Sequence, residues 1–132
     1  FFASMSEAEG MVKDKTRGFV MTDQPYTLVS SGREALLAEP AASNDRPQMK
    51  RIFQGLGTTI VRLTLTEGQV MREHSTNSPL TVQVLEGLIK FRIADDEVTM
   101  PTGAIIHVAA GVKHELEAVT ESHMTLLLVT AL

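Results

Sequence analysis

Residues 81–93 read TVQVLEGLIKFRI, two runs of alternating character set around Gly87. In the first, Val82 and Val84 alternate with Thr81 and Gln83. In the second, Ile89, Phe91 and Ile93 alternate with Lys90 and Arg92. A repeat of two marks half-buried strands, because successive side chains leave opposite faces of the backbone. The lone Gly87 predicts a tight turn, with Val84-Leu85-Glu86-Gly87 closing a hairpin. Upstream, 59–66 (TIVRLTLT) places Val61, Leu63 and Leu65 on one face and Arg62 and Thr64 on the other. Downstream, 97–100, 104–109 (AIIHVA), 114–119 (HELEAV) and 124–130 (MTLLLVT) are further strand-like runs. Turn residues separate them at Glu67-Gly68, Asn77-Ser78-Pro79, Asp95-Asp96, Pro101-Thr102-Gly103, Gly111 and Glu121-Ser122. Many short strands at this spacing predict an antiparallel sandwich or barrel.

The chain before this region reads differently. Residues 1–25 are polar, mixed in charge and without a sustained period, so they are assigned as an N-terminal arm. In a small domain its holder would be a partner subunit or the outer face of a sheet. Tyr26-Thr27-Leu28-Val29 is a short strand-like run. Ser31 and Glu34 have the spacing of a capping box, and Ala35 to Ala38 are good helix formers. Pro40 ends this helix, the one convincing helix in the sequence. Residues 41–48, with Asn44, Asp45 and Pro47, read as a loop. The barrel domain is assigned to 26–132.

Composition narrows the function classes. The 132 residues suit one domain. There is no cysteine, which excludes disulfides, thiolate metal sites and cysteine nucleophiles and suits a cytoplasmic setting. A formal net charge of −4 with scattered basic residues argues against a nucleic-acid surface. No run approaches the roughly 20 apolar residues of a membrane-spanning helix. One Tyr and no Trp speak against a carbohydrate-stacking surface.

Two segments carry a more specific signal. Gly68 is followed by five residues and then His74, and six residues separate Leu80 from Gly87. Gly103, Gly111 and His114 stand at the offsets of a second pattern: Gly, five residues, a turn ending in Gly, two residues, His. In spacing these resemble the paired motifs of the cupin superfamily, over roughly 59–130. The resemblance implies an all-β double-stranded β-helix (jelly-roll) barrel. It also implies a divalent metal held by two His and a Glu of the first motif and a His of the second.

At those four positions this chain has His74, Thr76, Leu80 and His114. A hydroxyl is a poor ligand for a transition metal and Leu offers none, so the metal site is degenerate and no metal is favoured. Ala109 and Ala118 also stand where the family has Pro and Asn. The expected site is therefore a small-molecule pocket lined by His74, Thr76, Leu80 and His114, with the two imidazoles as polar anchors. Against it stands an inert reading, in which both histidines are buried remnants kept by hydrogen bonds. A metal-dependent enzyme of dioxygenase or isomerase type is the alternative, using His74, His114 and either His107 or water. A structural dimerisation module with an unused pocket is the third. His107, between Ile106 and Val108, is expected to face away from the pocket, and His123 to sit solvated in a turn. Glu115 and Glu117 should lie opposite His114 on a solvated or interface face. The run 126–129, apolar on both faces, calls for an outer cover. With the resemblance, that points to a homodimer.

Overall fold

The computed structural model describes residues 25–55 and 57–129, with the side chains of Glu73 and His74 left aside. The chain separates into two units, residues 1–31 and 32–132. Of the first, only the stretch from Pro25 is described, and the arm assigned to 1–25 lies otherwise outside the described residues. The run Tyr26 to Val29 forms no strand; Tyr26 and Leu28 are 68% and 74% exposed. With no partner strand among the described residues, four residues cannot satisfy their backbone groups as a strand, whatever their propensity.

The second unit begins with helix α1 (Arg33–Ala38). Nine strands follow among the described residues: β1 (Gln48–Gly55), β2 (Thr58–Leu65), β3 (Val70–His74), β4 (Leu80–Glu86), β5 (Leu88–Ile93), β6 (Asp96–Pro101), β7 (Ile105–Val108), β8 (His114–Ala118) and β9 (Ser122–Val129). They form a five-stranded sheet in the order β1-β2-β9-β4-β7 and a four-stranded sheet in the order β3-β8-β5-β6. Every pairing is antiparallel. This is the expected jelly-roll arrangement of two facing sheets.

The inner faces follow the alternation. Leu63 and Leu65 of β2, Leu80, Val82 and Val84 of β4, Ile89 and Phe91 of β5, Met100 of β6, Val108 of β7, Leu116 and Ala118 of β8 and Met124 of β9 form one buried cluster. At about 25 cal/mol per Å² of apolar surface, burying such side chains dominates the stability of the domain.

Three expectations need correction. The turn at Gly87 does not close a hairpin: β4 pairs with β7 and β9, while β5 pairs with β6 and β8. One residue is too short for a hairpin loop, which needs two. Gly87 is instead the corner where the chain crosses from one sheet to the other. Its φ is +121°, and a Cβ there would meet the Glu121 carbonyl at 2.6 Å, so only glycine fits. The turn expected at Asp95-Asp96 does form, and it joins β5 to β6 as a hairpin.

Next, the helix is capped by Gly32 with no side-chain cap, so the Ser31/Glu34 box is not made. The Leu36 amide donates to the Gly32 carbonyl at 2.9 Å. Finally, β2 is not half-buried. Arg62 and Thr64, on its outer face, are 0% exposed. Residues 33–47 form a strap over that face, held where Arg62 Nε donates to the Leu36 carbonyl (2.8 Å) and Gln69 Nε2 to the Ser43 carbonyl (2.7 Å). Arg33 pairs with Glu86, and Lys50 with Glu39, at its surface.

Candidate functional site

Burial in the barrel differs between its ends, although Leu80, Val108 and His114 at one end are 2%, 2% and 3% exposed and Ala104, bonded to Val84 near the other, is partly exposed. Around the Gly87 corner, Leu65, Val84, Ile89, Ala118 and Ser122 are all 0% exposed. Ser122 Oγ accepts from the Leu88 amide at 3.1 Å, tying the β8–β9 turn to the corner. At the other end, Met71, Ile93, Val112, Leu126 and Leu128 pack against the core but stay partly exposed. Register places these together: Leu80 lies opposite both Leu128 and Val108, and Ile93 opposite His114. Loop 75–79 stays at this end, where the Gly111 amide donates to the Thr76 carbonyl at 2.8 Å.

His114 is the buried titratable group at this end among the described residues, 3% exposed at the first position of β8. Its ring stacks on Phe91 with centroids 5.6 Å apart and planes 15° from parallel. Nδ1 lies 3.1 Å from the Val112 carbonyl. A carbonyl only accepts, so Nδ1 carries the proton in that contact; in the neutral ring Nε2 then holds the lone pair. Stack and carbonyl together fix the plane of the imidazole.

The other expected site residues are placed as follows. His74, at the end of β3, stands directly opposite His114 in the β3–β8 ladder, past an irregularity after Met71. Thr76 is partly buried, and its hydroxyl donates to the Ser78 carbonyl at 2.7 Å. Leu80 is 2% exposed and belongs to the core cluster. The backbone thus brings His74 and His114 together, while Leu80 lies in the facing sheet opposite Leu128 and Val108. Thr76 serves its own turn.

His107 is exposed, and its Nδ1 lies 2.9 Å from Thr81 Oγ1 on the outside of the five-stranded sheet. It faces away from the His114 end, as the alternation predicted. Glu115 and Glu117 also fall opposite His114, on the outer face of the four-stranded sheet. There Arg92 bridges them, Nη1 to Glu115 at 2.8 Å and Nη2 to Glu117 at 2.6 Å. Hydrogen bonding to Arg92 holds the Glu117 carboxyl below the usual range.

His123 departs from expectation. It belongs to β9, its side chain is 15% exposed, and Nδ1 lies within 3.3 Å of Arg62 Nη2 and 3.4 Å of Thr64 Oγ1. The signal available was its offset of one from Met124, which put it on the same face as Arg62 and Thr64.

A family model for the cupin domain matches residues 61–130. The chain belongs to the cupin family. No curated protein sequence matches this cupin. Among solved structures, it is similar to a conserved protein of unknown function from Streptococcus pyogenes. The TM-score is 0.67 at 25% identity, over 79% of this chain and 91% of that one. It is similar to the same degree, TM-score 0.67 and 25% identity, to an RmlC-like cupin from Desulfovibrio desulfuricans, over 73% and 93% of the two chains. An uncharacterized Klebsiella pneumoniae protein with a double-stranded β-helix domain shares the fold at 15% identity and TM-score 0.61, over 66% and 79%.

Proposed function

We propose that this cupin binds a small, largely apolar molecule at the His114 end of its barrel, without a tightly held metal. The observation that carries this reading is a buried, orientationally fixed imidazole at the end where apolar side chains relax from full burial. Sites that bind small molecules combine an apolar lining with a few fixed polar groups. His114, with His74 opposite it in the ladder, would anchor one polar group of the ligand, and Leu80, Leu126 and Leu128 would contact the rest.

The donor set does not fit a four-ligand metal centre. Of the four motif positions, Thr76 has its hydroxyl engaged with Ser78 and Leu80 has no ligand atom. The oxidising or isomerising metalloenzyme is weakened further because His107, its third candidate ligand, faces out of the barrel. A homodimer through the outer face of the five-stranded sheet is supported by Ile105 and Leu127, 62% and 37% exposed there. The cysteine-free composition is compatible with a cytoplasmic protein.

The test is a thermal-shift screen of small carboxylates, alcohols and amides with apolar bodies, run on wild type and His114→Ala. A ligand at a hundred times its Kd should stabilise the wild type by about 2.7 kcal/mol and leave the variant unmoved. Near-stoichiometric iron, manganese or zinc that is lost in His114→Ala would replace this reading with the metalloenzyme. A hit that stabilises both proteins equally would move the site away from His114.

A further inference from the structure

Among the described residues, Arg62 is a fully buried cation without a carboxylate as hydrogen-bond partner. Its five donors are instead spent on neutral groups. Nε meets the Leu36 carbonyl at 2.8 Å; Nη1 meets the Leu63 and Met124 carbonyls at 3.0 and 2.6 Å; Nη2 meets Thr64 Oγ1 at 3.2 Å and His123 Nδ1 at 3.3 Å. Burial pushes the guanidinium below its usual range, yet arginine keeps its charge in proteins. The arrangement therefore depends on every acceptor staying an acceptor.

One of them can change. For His123 Nδ1 to accept from Arg62, its proton must sit on Nε2, and Nε2 lies 3.0 Å from Glu121 Oε2, which accepts it. Adding a proton turns Nδ1 into a donor aimed at a buried cation. The lone pair is lost and a like charge takes its place.

We propose that Glu121, His123 and Arg62 form an acid-sensitive clasp that holds the strap, residues 33–47, on the outer face of the five-stranded sheet. The chain of contacts runs from solvent to strap: Glu121 at the turn, His123 on β9, Arg62 on β2, Leu36 in α1.

The other charged groups facing this chain do not cancel the effect. Glu121 favours a protonated His123 but is 56% exposed. Glu86 of β4, opposite His123 in the ladder, is half exposed and paired to Arg33 of α1. Lys50 of β1, opposite Arg62, is paired to Glu39 of the strap, and that pair is exposed as well. Solvent screens these exposed charges strongly and the buried guanidinium far less, so a protonated ring would meet Arg62 with little screening. Once it is weakened, the strap keeps the two surface pairs and the Gln69–Ser43 bond.

The clasp is tested by hydrogen–deuterium exchange of the full chain near pH 7.5 and 5.5, corrected for intrinsic rates, in wild type, His123→Gln and Arg62→Lys. Peptides spanning 33–43 should exchange about tenfold faster at the lower pH in wild type, where added acid turns Nδ1 from an acceptor into a donor. In His123→Gln the carboxamide oxygen still accepts from Arg62 but does not titrate, so the acid effect should vanish. Arg62→Lys should exchange fast at both pH values; if it does not fold, wild type against His123→Gln decides. Equal acid acceleration in His123→Gln, no acceleration in wild type, or acceleration spread evenly over β4 and β9 would each overturn the proposal.

Discussion

Arg62 and Arg92 make an instructive pair. Each sits mid-strand at a polar position of an alternating run, and each points to the outside of its sheet. Arg92 stays about one-third exposed and bridges two carboxylates across the strand on β8. Arg62 is buried beneath the strap and is satisfied by carbonyls, a hydroxyl and an imidazole. Alternation decides which side of a sheet a residue leaves from. It does not decide whether that side meets water. Where the face is open, charge is matched by charge; where a strap covers it, the cation becomes a cross-link of backbone groups from three elements.

The comparison can be broken at its strongest point first. Arg62→Ala leaves buried carbonyls without donors and opens a hole under the strap. It should cost about 3 kcal/mol in urea denaturation, from the penalties for unpaired buried polar groups and lost packing. Arg62→Lys keeps the charge but gives up the fork, and a single ammonium cannot reach acceptors on β2, β9 and α1 together. It should cost about 2 kcal/mol by the same measurement. If Lys proves equal to Arg, charge rather than geometry holds the strap.

Arg92→Ala should have the smallest effect, a slight drop in melting temperature that shrinks further in high salt, as for exposed pairs generally. It also has a direction in pH. Because Arg92 lowers the Glu117 carboxyl, the pair's contribution is present above the range where an unfolded glutamate titrates. It is lost as pH falls through the depressed folded value. The gap between wild type and Arg92→Ala should therefore close in acid. A gap that widens in acid would mean that Glu117 is not what Arg92 stabilises.

What could be read from the sequence, and what could not, divides along the same line. The inward face was legible where polar and apolar residues alternate cleanly, because burial repeats with the pleat; Leu63, Val82, Phe91 and Leu116 are all core residues. His114 inward and His107, Glu115 and Glu117 outward followed from the same alternation. Pairing was not legible. Residues 81–93 look like a hairpin because their two strands are contiguous, yet each finds its partners at a distance along the chain. The strands β1 and β3 lack clean alternation, and each carries an irregularity in its ladder. Cover was not legible either. Nothing local to Thr64 or His123 reveals that residues 33–47 return over them. The site was half legible: spacing brought His74 and His114 together, but the use of the Thr76 hydroxyl within its own turn depends on a loop geometry that composition does not encode.

The placement of Tyr26 has an optical consequence. It is the sole tyrosine, there is no tryptophan, and it lies in the unit before the barrel. The barrel is therefore nearly dark above 275 nm, with phenylalanine its one aromatic chromophore besides histidine. Absorbance and intrinsic emission report on the segment around Tyr26, and barrel unfolding has to be followed by far-ultraviolet dichroism instead. The same darkness is useful. Any coloured or fluorescent molecule entering at the His114 end would be seen against almost no background.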